Sequence, residues 1–153
     1  MKKTLSLMAS LAMLVASAQA YAEVVAPGDV MIEDMKASTS LTGEAGDAAR
    51  GAEVFADRKL GNCLACHANS KMSDHLFHGE VGPPLEGAAD RWSEDELRAI
   101  VVNSKAVFGE QTVMPGFYSL DVGVHVREDL VGKTILTAQQ VEDVVAYLET
   151  LKD

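Results

Sequence analysis

The most regular hydrophobic pattern lies at the C-terminal end of the chain. Val141, Val144, Val145, Leu148 and Leu151 recur at helical spacing, and Thr137 with Gln140 supplies a capping box that starts the helix carrying them. A second capping box, Ser93 with Glu96, precedes Leu97, Ile100 and Val101 and predicts another helix. A third is expected from Asp47, as N-cap, to about Lys59, with Gly51 and Phe55 on one face. Elsewhere the periodicity fails. Residues 23 to 43 read as an extended, weakly ordered lead-in, Gly82-Pro83-Pro84 forbids helix, and Val122, Val124 and Val126 alternate as in a short strand or ribbon. The expected fold class is therefore all-α, with three to four short helices and long connections at 68–92 and 104–136. Structureless loops of that length bury little of their own surface. A large, flat, apolar cofactor between them would supply the missing core.

The N-terminus carries Lys2 and Lys3, then an apolar run from Leu5 to Ala16 and two small-x-small cleavage sites, after Ala20 and after Ala22. The run is shorter than the roughly 20 residues of a membrane span, so residues 1–22 are expected to be a signal peptide, not an anchor. Cleavage after Ala22 removes both lysines and no acid, which takes the net charge from −10 to −12. The expected product is an exported protein of the bacterial periplasm with no membrane anchor. Its acidic balance argues against nucleic-acid binding. A chain of 153 residues allows one domain plus an extension. The expected division is a signal peptide at 1–22, a lead-in at 23–46 suited to partner contact, and a domain at 47–153.

Both cysteines of this exported chain fall in Cys63-Leu64-Ala65-Cys66-His67. Cys-x-x-Cys-His is the attachment signature of c-type haem. Two thiols one helical turn apart can bond to the two vinyl groups on one side of the macrocycle, and the next residue then reaches the iron as its imidazole ligand. Other chemistries stay open at this point. A dithiol redox pair needs a βαβ setting that the pattern lacks, and a disulfide across two residues is strained. Zinc held by Cys63, Cys66, His75 and His78 would leave His67 a coincidence.

A six-coordinate iron needs a second axial ligand. Met31, Met35, Met72, Met114, His75, His78 and His125 are the available side chains. Met72 is too near His67 in sequence to reach the other face of the ring, and Met31 and Met35 lie in the lead-in. Met114 stands in a loop with its backbone fixed by Pro115 and is the expected ligand, with His125 as the alternative. The Pro83 carbonyl is placed to accept the free N–H of His67. Leu85 and Trp92 are candidates to pack on the ring, Arg91 to pair with a propionate, and His75 and His78 to be surface loop residues.

An N-terminal helix with Gly51 and Phe55, the haem motif, Gly82-Pro83-Pro84-Leu85, Met114-Pro115, and a C-terminal helix with Tyr147 and Leu148 together resemble class I cytochromes c over roughly residues 45 to 153. The resemblance implies one covalent haem c and first and last helices that cross. Within that class the chain is similar to the SoxX family of subunits in sulfur-oxidising complexes. The likeness rests on Gly61-Asn62 before the motif, Met114-Pro115-Gly116-Phe117-Tyr118, the insert after it, and the segment from Gly132 to Leu148. It implies a heterodimer with a SoxA-like cytochrome, forming an L-cysteine S-thiosulfotransferase. Thiosulfate would be joined to a cysteine of a SoxYZ-like carrier, with electrons passing through this chain to a soluble cytochrome c. With both thiols engaged by haem, no cysteine remains for sulfur chemistry, so the catalytic sulfur centre falls to the partner. The alternative is a free monohaem electron carrier.

Overall fold

The computed structural model describes residues 23–121 and 123–153; the expected signal peptide and Val122 lie outside them. Among the described residues there are four α-helices: α1 (Ala48–Ala56), α2 (Ala88–Arg91), α3 (Glu94–Phe108) and α4 (Ala138–Leu148). The caps act as their sequence requires. Asp47 Oδ1 accepts the N–H groups of Ala49 and Arg50, each at 2.9 Å. Glu96 accepts the Ser93 N–H at 2.8 Å, and Gln140 accepts that of Thr137 at 2.9 Å. None of these helices is long and apolar enough to cross a membrane.

Four local expectations change. α1 stops at Ala56, short of Lys59, because the Asp57 carboxylate takes the Lys59 N–H and its carbonyl takes those of Leu60 and Asn62, turning the chain toward the cysteines. The one-turn helix α2 forms inside the 68–92 connection, held by the C-terminus: Ala89 N–H donates to Leu151 O at 3.1 Å. α3 runs on to Phe108 past a break at Asn103 (φ −154°, ψ 88°), so the connection expected from 104 begins later. The ribbon expected at 122–126 does not form among the described residues there. Gly123 (φ 96°) and His125 (φ 58°) are both left-handed, which no strand accommodates.

Residues 23–46 are not a loose lead-in. Ala37 and Leu41 are buried, Val25 N–H donates to Leu41 O, and Ala37 N–H donates to Asp95 O at the start of α3. The anchor is an ion pair buried between α3 and α4. Arg98 Nε lies 3.1 Å from Glu142 Oε2, Arg98 Nη1 donates to Ala37 O at 3.0 Å, and Glu142 Oε1 accepts the Leu41 N–H at 2.6 Å. A buried charge pair is tolerable when its remaining hydrogen-bonding sites are filled, and here the lead-in backbone fills them together with the Ser40 hydroxyl and the Glu94 and Asp95 carboxylates. The composition of 23–46 hides this, because both charges come from helices far along the chain.

α1 crosses α4 at very short range. A Cβ added to Gly51 would stand 1.9 Å from Asp143 O and 2.9 Å from the Tyr147 Cβ, so only glycine permits the approach. Phe55 packs edge-on against Tyr147 with ring centroids 5.4 Å apart. Arg50 clamps the same crossing on Asp143. Burial would push that carboxyl up, but the Arg50 guanidinium and the Asp47 N–H outweigh it and hold it below the ordinary carboxylate range. Gly51→Ala is expected to force the helices apart at a cost of roughly 3 kcal/mol, lowering Tm by about 10 °C in a thermal melt of the haem-loaded protein.

Candidate haem-binding site

Asn62, in left-handed backbone (φ 48°), turns the chain into a short 3₁₀ helix over Cys63–Ala65, and His67 N–H donates to Cys63 O at 2.9 Å. The motif residues are thereby gathered on one wall of a cavity of about 700 Å³, a volume within the range of small-molecule and cofactor pockets. Cys63, Cys66, His67, Pro83, Leu85, Arg91, Trp92 and Met114 all line it. Every site residue expected from the sequence thus meets in one place.

The imidazole of His67 is fixed from behind. Its Nδ1 lies 2.7 Å from Pro83 O, and since a carbonyl only accepts, Nδ1 carries the proton and Nε2 is left as the free electron-pair donor. A Cβ on Gly82 would sit 2.3 Å from the His67 ring, so glycine before the two prolines is what lets the loop close on the imidazole. Arg91 braces the same loop by donating to Glu86 O at 2.6 Å and Pro84 O at 3.2 Å.

The rival axial ligands separate cleanly. Met31, Met35 and His125 are exposed, Met72 is buried in the protein core, and none of the four lines the cavity. His78 is a half-buried loop strut, accepting the Asn69 N–H at Nδ1 and donating from Nε2 to Met72 O, while His75 is exposed.

The donor set suits a haem and not the competing chemistries. Among the described residues no three His, Cys, Asp or Glu side chains converge as a metal site, which removes the zinc quartet. Burial pushes the Cys63 thiol up to about 12, the opposite of the lowered value that activates a dithiol redox pair. The walls are apolar, and four cations, Arg58, Lys59, Arg91 and Arg127, stand among the lining residues of an acidic protein, suited to carboxylates on an otherwise greasy ring.

Sequence reasoning missed several wall residues. Ile100 lies on the α3 stripe and could have been found from it. Phe108, stacked edge-on against Trp92 at 5.8 Å, comes from the unforeseen end of α3. Arg127 and Leu130 come from the insert after the methionine, where no local pattern marks a cavity wall.

A family model described as cytochrome c matches residues 48–152. No curated protein matches the chain. Among solved structures, a chain in the crystal structure of SoxXA from P. pantotrophus is 44% identical, with a TM-score of 0.77, the match covering 84% of this chain and 98% of that one.

Proposed function

The chain belongs to the cytochrome c family, and from that premise we propose that it is the monohaem subunit of a SoxXA-like, thiosulfate-oxidising complex of the periplasm. The likeness to SoxXA carries the reading: it spans 84% of the chain, more than residues 48–152 make up, and so reaches beyond the domain that all cytochromes c share.

The cofactor is one covalent haem c, which supplies one-electron exchange at iron. Cys63 and Cys66 hold it by thioether bonds. His67 would hold the metal through Nε2, with Pro83 O fixing the orientation of its ring, and the Met114 thioether would be the other protein ligand, its softness favouring reduced iron. Leu85 and Trp92 would pack on the ring and exclude water, and Arg91 would pair with a propionate. On the partner side, joining thiosulfate to a carrier cysteine forms one sulfur–sulfur bond, releases the thiol proton and frees two electrons. This chain contributes no thiol to that step and conducts the electrons, one at a time, to a soluble cytochrome c. Residues 23–46, folded onto α3 and α4, present Met31 and Met35 to solvent and form part of the partner-facing surface.

Purification from the periplasm tests the assignment. The expected result is a red complex with a SoxA-like subunit, reduced when thiosulfate and a SoxYZ-like carrier are supplied together. A lone, stable monomer that thiosulfate and carrier fail to reduce would point to a free electron carrier. Gly82→Ala tests the site itself. The added methyl must displace the His67 ring from Pro83 O, and a high-spin fraction is expected to grow in the absorption spectrum.

A further inference from the structure

Resting on Met114 as axial ligand, we propose that Ser104, together with the break in α3 at Asn103, is a clamp that keeps the methionine on the iron. Ser104 is wholly buried, and its hydroxyl donates to Met114 O at 2.6 Å. Pro115 has no N–H to tie the loop down at that point, so the Met114 carbonyl is the natural handle. The break supplies two further grips. In an unbroken helix the carbonyls of Val101 and Val102 would be taken by the amides of residues 105 and 106. Here they accept the N–H groups of Phe117 at 3.0 Å and Tyr118 at 3.1 Å. Gly116 lets the loop lie this close, since a Cβ there would meet Val102 O at 3.0 Å and Asn103 Oδ1 at 3.3 Å. Residues 114–118 are thus held at three points, Met114, Phe117 and Tyr118, by the interrupted turn of one helix. Ser104 is a positioning residue: it touches the ligand's backbone, not the iron.

A methionine bound to iron competes with any outside ligand, and the apparent affinity of that ligand reports how often the loop lets go. Removing the hydroxyl leaves the Met114 carbonyl without its buried donor only while the loop is closed, because water serves it once the loop opens. Ser104→Ala is therefore expected to bind added imidazole roughly ten-fold more tightly than the wild-type holoprotein, a change of about 1.4 kcal/mol. The matched control is Val145→Ala, buried in α4 and away from the cavity. It should lower Tm and leave imidazole affinity alone. An affinity in Ser104→Ala equal to that of the wild type or of Val145→Ala overturns the clamp. Should Ser104→Ala fail to fold, Gly116→Ala reads the same grip from the loop side, and a rise in affinity supports the clamp while none overturns it. Met114→Ala separates the two proposals. If it retains the sulfur–iron absorption band and the wild-type imidazole affinity, the ligand assignment falls, and the clamp with it.

Discussion

Replacing Cys63 and Cys66 together by serine is expected to give a protein without covalent haem that does not hold its fold. The chemical part follows from the loss of both thioether bonds. The structural part follows from the cavity they border, about 700 Å³ with apolar walls drawn from α1, α3, α4 and both long connections. Apolar walls left without their filling lose their packing contacts and face water, and a domain is held by only about 5–15 kcal/mol in all. The exposed rim residues, Val81 and Val113 among them, show that the cavity is open on one side, so water reaches those walls once the haem is gone. Haem staining after denaturing electrophoresis checks the attachment, and far-ultraviolet circular dichroism checks the helices. A doubly substituted chain that keeps its helical signal and cooperative melt without pigment would show that the protein walls carry the fold unaided.

The second large effect is expected at Met114. Substituting alanine removes the thioether while leaving the covalent attachment and His67 in place. The absorption band of the sulfur–iron bond should disappear, and the midpoint potential should fall by something on the order of hundreds of millivolts, within the roughly 0.8 V that axial ligation spans. The sign follows from softness. A thioether stabilises Fe(II) relative to Fe(III), and the harder ligands that replace it, water or a neighbouring nitrogen, do the reverse. Potentiometric titration with optical detection measures both changes at once. An unchanged potential and spectrum would hand the axial position to another residue.

The helices were legible because their signals are local. The capping boxes at Ser93 and Thr137 and the stripe from Val141 to Leu151 concern residues within one or two turns of each other, and a pattern of that range survives in the sequence. The Cys-x-x-Cys-His motif was legible for the same reason, since one turn of chain contains the whole attachment. The His67–Pro83 contact could be anticipated because Gly82-Pro83-Pro84 fixes its own backbone. The lead-in was not legible. Its burial depends on Arg98 and Glu142, whose distance along the chain exceeds any window of periodicity. Nor was the break at Asn103, where the carbonyls of Val101 and Val102 bond to residues fifteen or more positions downstream.

By itself, then, the order of residues determined which segments coil and gathered Cys63, Cys66 and His67 within one turn of chain as a c-type haem signature, because each of these is a relation between neighbours along the chain. How the insert closes the wall, and why Gly46 and Gly51 must lie under the carbonyls of Glu142 and Asp143, were decided only in three dimensions. Close packing, unlike helix formation, is a relation between surfaces that the backbone brings together from distant positions.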